Sequence, residues 1–277
     1  MSHEFKLDGA LALVTGAASG IGESTARALA SRGSHVLLLD RDADGLGRVA
    51  ESIKGEGNLV DTFVIDLADA QAIPVVVEEL EASHGSPDVL VNNAGLGRWL
   101  SILETPAEEA ELMITVPYLA AFNLTRELLP GMIARGSGQI VNVTSVAARL
   151  SWPGAVAYSA ARAAMEGFTN ALRADLYGSG IGVTLAMFGT VESPYWKHNP
   201  GSRERVPRSA GRIRVLTTQE AASRIVSGIE QRSRTVIAPA AFRGLFVMSA
   251  LLTGQVDASM AKGARGAKDV SRETIKA

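Results

Sequence analysis

The sequence predicts an α/β fold: one doubly wound parallel sheet of about seven strands with helices on both faces. Three observations carry this. Short apolar runs that read as buried strands alternate with segments whose apolar residues recur at helical spacing, the pattern of a sheet covered on both sides. The first apolar run ends in a glycine-rich turn, and a helical pattern starts directly after it. No Pro/Ser-rich stretch, long charge run or low-complexity block interrupts residues 8–254, so a single domain is expected in this 277-residue chain.

The elements follow in order. Residues 11–15 form a strand, and 23–31 a helix ending near Gly33. A second strand covers 35–40 and a second helix 44–54. A third strand covers 59–65, a helix 70–83, and a fourth strand 89–91, running into Asn92-Asn93-Ala94-Gly95. A long helix spans 107–134 with a disturbance at Pro117, where the backbone donor is missing. Then come a strand at 139–143, a helix at 155–178, a strand at 182–186, a helix at 219–232 and a seventh strand at 235–238. Residues 242–252 are apolar apart from Arg243 and Ser249, too short to span a bilayer, and are expected as a helix packed on the core or on a partner subunit. Residues 255–277 turn polar and are expected as a loosely held tail, which places the domain at 1–254.

Composition excludes several functions. A formal net charge of −2 gives no global attraction to nucleic acid or anionic membrane. The chain has no cysteine, so disulfides, thiolate catalysis and Cys-based metal sites are absent, and no pattern of histidines and acids suggests a metal. Residues 1–8 are polar and charged without a signal-peptide core, so the expected location is cytoplasmic.

The turn after the first strand carries Gly16, Ser19, Gly20, Ile21 and Gly22. One glycine allows a sharp exit from the strand; the others let a pyrophosphate approach the backbone and the helix pack closely. The helix N-terminus then offers free amides and partial positive charge to phosphates. Asp40, at the end of the next strand, can accept hydrogen bonds from both ribose hydroxyls and repels a 2′-phosphate. Dinucleotide binding follows, with NAD(H) favoured over NADP(H), although the adjacent Arg41 can recruit a phosphate.

Downstream, a strand ending in Ser145 is followed by Tyr158-Ser-Ala-Ala-Arg162. Together with the glycine turn and Asn92-Asn93-Ala94-Gly95, this resembles the classical short-chain dehydrogenase/reductase (SDR) family, a Rossmann-like fold. The resemblance implies that Asp66 and Leu67 meet the adenine edge and that Asn93, Ala94 and Gly95 shape the floor of the cofactor groove. It further implies that Gly189, Val191 and Ser193 lie at the nicotinamide carboxamide, and that Ser145 and Tyr158 handle the substrate oxygen and its proton. Homodimers or homotetramers built on the helices at 107–134 and 155–178 are implied as well.

Tyrosine chemistry near pH 7 asks for a shift of about 3 units in a phenol, or roughly 4 kcal/mol of preferential stabilisation of phenolate. A fixed cation and the positive nicotinamide ring can supply it. Two positions depart from the family pattern. Arg162 stands where a lysine is expected; it keeps the charge but cannot release a proton. Pro117 stands where an Asn is expected. A milder departure is Phe188-Gly189 in place of the usual Pro-Gly.

Residues 192–216 read as a lid, with Tyr195, Trp196, Lys197 and His198 preceding a stretch rich in Arg, Pro and Gly. With Trp99 and Trp152 these aromatics suggest an apolar cavity. The implied activity is an NAD(H)-linked interconversion of an alcohol and a carbonyl on a mainly apolar small molecule, with low or altered turnover. A catalytically impaired NAD-binding sensor or scaffold is the alternative, and a lyase- or epimerase-like reaction at the same phenol also stays open.

Overall fold

The structure of the chain is a computed structural model that describes residues 4–207 and 213–263. The glycine turn joins strand β1 (Leu11–Thr15) to helix α1 (Gly20–Ala30), and the pattern repeats through β2 (His35–Asp40), α2 (Ala43–Gly55), β3 (Val60–Val64), α3 (Ala72–His84) and β4 (Val89–Asn92). The second half runs α4 (Ala107–Ile114), a π-turn (Thr115–Leu119), α5 (Ala120–Arg135), β5 (Gly138–Ser145), α6 (Val156–Asp175) and β6 (Ile181–Phe188). After it come β7 (Val191–Glu192), α7 (Tyr195–His198), β8 (Leu216–Thr217), α8 (Thr218–Glu230), β9 (Thr235–Ala238), α9 (Ala241–Leu251) and α10 (Thr253–Gly263).

The main sheet has seven parallel strands in the order β3-β2-β1-β4-β5-β6-β9. Alternation along β2 shows why both faces must be covered. Val36 and Leu38 enter the core layer under α1, α2 and α8, while Leu37 and Leu39 enter the layer under α3 and α5. Strand order reverses between β1 and β4, which opens a crevice outside their carboxyl ends.

Buried polar side chains tie the central strands to the helices. Asn92 donates to Asn142 Oδ1 at 2.9 Å, and Asn142 in turn donates to Thr169 Oγ1 at 2.9 Å, linking β4, β5 and α6. At the top of β1 the Thr15 hydroxyl donates to the Val91 carbonyl at 3.3 Å and accepts the amides of Asn93 and Ala94, each at 2.9 Å. Asn93 Nδ2 donates to the Thr15 carbonyl at 2.9 Å, so its side chain works structurally beside the glycine turn.

Several details differ from the sequence expectations. Helix α2 is capped by Asp42, whose carboxylate accepts the Gly45 amide at 3.0 Å; Asp44, the expected start of the helix, lies within its first turn. Pro117 does not break the long helix. It has no N–H to donate four residues back, and the chain absorbs this as a single π-turn, in which the Ala120 amide reaches the Thr115 carbonyl. The short parallel pair β7–β8 and the one-turn α7 had no periodicity to reveal them. Where composition suggested a tail from 255, α10 instead continues to Gly263 and buries Val256 and Met260; residues 264–277 lie outside the described residues. No single helix among the described residues is long and apolar enough to cross a membrane, and α9 and α10 are bent by 117° to one another.

Replacing Thr15 by Val keeps the shape but leaves two amides and a carbonyl without their partner. This substitution is expected to cost about 2–3 kcal/mol, measured as a lower urea midpoint with an unchanged m-value.

Candidate active site

The crevice at the β1/β4 reversal widens into a cavity of about 630 Å³ that runs from the end of β2 to residues 195–199 of the segment read from sequence as a lid. Of the residues singled out from sequence, Gly16, Ser19, Gly20, Ile21, Asp40, Arg41, Asp66, Leu67, Asn93, Ala94 and Gly95 line one half. Ser145, Tyr158, Arg162, Gly189, Val191 and Ser193 line the other. Gly22 lies just beneath the surface, and its role is contact. A Cβ there would sit 2.0 Å from the Gly16 carbonyl oxygen, so only glycine lets α1 close on the turn. Gly16 itself has φ +65°, in the left-handed region.

This half fits a dinucleotide. The first-turn amides of α1 have no intrahelical acceptors by helix geometry, and the glycine cradle leaves room above them. Asp40 accepts the amides of Ala18 and Asp42, each at 3.1 Å, which fixes its carboxylate at the rim of the cavity. Arg41 leans toward Asp66 at 4.0 Å, so the cation beside Asp40 already has an acidic neighbour.

In the other half, β5 and α6 place Ser145, Tyr158 and Arg162. Thr144 Oγ1 donates to the Arg162 carbonyl at 2.9 Å, locking the end of the strand to the helix. Ser145 accepts the Ala147 amide at 3.2 Å, which occupies its oxygen as an acceptor and leaves its own hydrogen free to donate into the cavity. Tyr158 and Arg162 are one helical turn apart and both buried, at 8% and 7% exposure.

The Arg162 guanidinium lies against the tyrosine. Its Cζ lies over the Tyr158 ring, 4.7 Å from the centroid, in cation–π geometry. Its terminal nitrogens fill the space beside Gly95, where a Cβ would approach them within 2.8–2.9 Å. Nε is buried without a hydrogen-bond partner in the protein. The N-N-A-G stretch thus provides room for the larger cation at Gly95. Val116 reaches the cavity wall, while the adjacent Pro117 is buried in the π-turn and does not line it.

Beside Tyr158 the cavity ends in an aromatic box. Trp99 packs against Trp152, Tyr158 and Trp196 with ring centroids 5.5–5.6 Å apart. Tyr195 donates its hydroxyl to the Gly97 carbonyl. Burial pushes the Tyr195 phenol well above its ordinary range, reinforced by Tyr158 and partly offset by Arg162. Tyr195 therefore stays neutral, and its hydroxyl keeps its proton while donating a hydrogen bond to the Gly97 carbonyl.

Sequence reasoning missed how the lid is anchored. Asn199 Oδ1 accepts the Gly97 amide at 3.1 Å, Ser202 Oγ accepts the Trp99 amide at 2.9 Å, and Arg205 forks onto Glu104 at 2.6 and 2.7 Å. No local spacing signals contacts between segments about a hundred residues apart. Arg203 pairs with Glu192 and Arg214 with Glu220, so these lid arginines are committed to carboxylates of the chain; Arg208 and Arg212 lie outside the described residues. His198 lines the cavity.

The β-strand order, the glycine cradle and the Ser145/Tyr158 pair define the class, and residues 10–203 match the family model described as short chain dehydrogenase. The chain belongs to the short chain dehydrogenase family. Among its relatives is a Mycobacterium tuberculosis protein named probable oxidoreductase EphD, 33% identical over 234 residues; the match covers 80% of this chain but only 40% of that protein. The 3-oxoacyl-[acyl-carrier-protein] reductase FabG of Thermotoga maritima is 34% identical, with 70% of this chain and 79% of the relative covered. Among solved structures, L-sorbose reductase from Gluconobacter frateurii, complexed with NADPH and L-sorbose, superposes with a TM-score of 0.74 at 29% identity, covering 84% of this chain and 97% of that one.

The Arg205–Glu104 pair gives the lid a pH signature. The Arg205 guanidinium, opposed by burial and helped by Ser101, holds the Glu104 carboxyl down at about 2. A carboxylate depressed on folding adds stability above its unfolded value near 4.5, and this is lost as pH falls from there toward 2. Urea unfolding at pH 6 and pH 3 should therefore show Glu104→Gln losing about 1–3 kcal/mol less than the native chain on acidification.

Proposed function

We propose that the chain is an NAD(H)-dependent oxidoreductase that interconverts an alcohol and a carbonyl on a mainly apolar small molecule. The observation that carries this reading is Tyr158, buried beside a fixed cation, at the meeting point of the dinucleotide cradle and the aromatic box. Gly189, Val191 and Ser193 would hold a nicotinamide, which when bound would supply hydride exchange with the carbon of the substrate. Everything else falls to the chain. Ser145 donates a hydrogen bond to the substrate oxygen, and Tyr158 gives or takes the proton of that oxygen. Arg162 stabilises phenolate through the ring face and its positive charge. The box of Trp99, Trp152 and Trp196 excludes water and favours apolar, ring-bearing substrates.

Asp40 supports NAD(H) over NADP(H), because its carboxylate is fixed at the position a 2′-phosphate would have to share. Arg41, drawn toward Asp66, is poorly placed to offset that repulsion. Self-assembly belongs to the same reading: Leu119, Phe122 and Val156 expose apolar surface on the two long helical segments. The family's use of those helices points to a homodimer or homotetramer.

A second reading is an NAD-binding sensor or scaffold with little turnover. It rests on Arg162, which lies over the ring with Nε unpaired and cannot pass protons onward, and on Pro117, which supplies no amide side chain. NADH and NADPH fluorescence titrations come first. NADH is expected to bind at least about tenfold more tightly, and Asp40→Ala to erase that preference. On a panel of apolar alcohols and ketones, Tyr158→Phe is expected to lower kcat by about 10²–10⁴ while leaving NADH binding intact. Equal turnover in both proteins sinks the oxidoreductase reading. No turnover in the native chain, together with no gain in Arg162→Lys, establishes the sensor reading.

A further inference from the structure

At the opposite end of the sheet from the cavity, three side chains that serve none of this chemistry converge. His35 opens β2, Asp61 lies near the start of β3, and His84 is the last residue of α3. Their meeting follows from the fold. Period-2 alternation places His35 on the same face as Leu37 and Leu39, the face covered by α3. Asp61 is registered against Leu37, so it is the diagonal neighbour of His35 on that face. Helix α3 runs back across the sheet and ends there, delivering His84.

We propose that His35, Asp61 and His84 bind a divalent transition-metal cation of the Zn²⁺ class, clipping β2, β3 and α3 together. His35 Nε2 lies 2.8 Å from Asp61 Oδ2, and His84 Nε2 lies 3.8 Å from the same oxygen. All three potential ligand atoms fall within 4.8 Å of one another. Ligand atoms around tetrahedral zinc sit about 3.3 Å apart, given bonds of about 2.0–2.1 Å. The two separations from Asp61 bracket that value and no pair exceeds 4.8 Å, so shifts of about 1–1.5 Å would close the site.

The donor set selects the metal. Two imidazoles and one carboxylate suit Zn²⁺, Ni²⁺ or Cu²⁺, whereas Mg²⁺ and Ca²⁺ require oxygen. The rings are positioned from the side. His35 and His84 meet edge to face with centroids 5.1 Å apart, and Phe63, two residues after Asp61 on the same face, packs against His84 at 6.1 Å. Both histidines are partly buried while Asp61 faces solvent, which leaves a fourth position open to water. The spacing hides the set: its members lie more than twenty residues apart on three elements, unlike a local ligand motif.

The test uses the full chain without a polyhistidine tag, stripped with chelator and titrated with ZnCl₂ by calorimetry. One equivalent should bind with a dissociation constant of roughly 1–10 µM, and zinc should raise the melting temperature. Loss of an outer-sphere partner alone typically weakens metal binding by ~10–100-fold, so His84→Ala and His35→Ala should each do no less. His198→Ala, at the far cavity, should retain zinc affinity. His84→Gln guards against a folding defect, because it keeps a polar group of similar size and can be checked by circular dichroism before titration. Absence of binding at 100 µM zinc, or unchanged affinity in folded His84→Gln, overturns the proposal and leaves the trio as an ion pair only.

Discussion

A single hydroxyl group holds the working end of the sheet together. Thr15 Oγ1 joins β1 to β4 through three hydrogen bonds, at the point where the strand order reverses and the crevice opens. On one side of it Gly16 turns the chain into α1; on the other, Asn93, Ala94 and Gly95 form the floor of the groove. Because Asn93 also holds the Thr15 carbonyl, the glycine turn and the floor of the cavity are one hydrogen-bonded piece. A change in the twist between β1 and β4 would move both together. The placement of Arg162 against Gly95 depends on this piece, as does the depth of the cavity behind it.

The arginine changes the electrostatics of the site in a definite way. A compact ammonium acts as a point charge and can be aimed at an oxygen. The guanidinium here is planar and spreads its charge over the face of the phenol, with two nitrogens pressed toward the backbone of Gly95. It lies on the ring whether or not the ring is ionised, so part of its attraction to the ring is common to both forms. Only the difference between the two states helps the chemistry. The neutral Tyr195 nearby adds no competing charge, since burial keeps its proton in place.

Much of this was legible before any coordinates. The seven main strands and most helices follow from apolar runs and helical spacing; β2 and β9 fall where the residues alone placed them. The residues singled out around the glycine turn and the β5–α6 connection lie on one cavity, with Gly22 directly beneath it. What stayed hidden has a common physical cause, namely contacts between segments distant in the chain. The stacking of Arg162 on Tyr158 depends on side-chain rotamers. The carboxamide of Asn199 finds Gly97 only after the sheet has brought 97 and 199 together. The two-residue strands β7 and β8 are too short to show alternation, and α10 is too polar on average to stand out although Val256 and Met260 hold it to the core.

The stitching of 195–205 onto 97–104 has a consequence for how such a pocket can diversify. The two segments share the Gly97 carbonyl and amide, the Trp99 amide and the Arg205–Glu104 fork, so neither presents its own surface to a substrate independently. A chimera whose downstream segment lacks Asn199, Ser202 and Arg205 strands Glu104 as a largely buried carboxylate and leaves the Gly97 and Trp99 amides without acceptors. The smallest transplantable unit is therefore the pair of segments. Inheritance of a new specificity would have to pass through both at once, or through side chains such as Trp152 that take no part in the stitching.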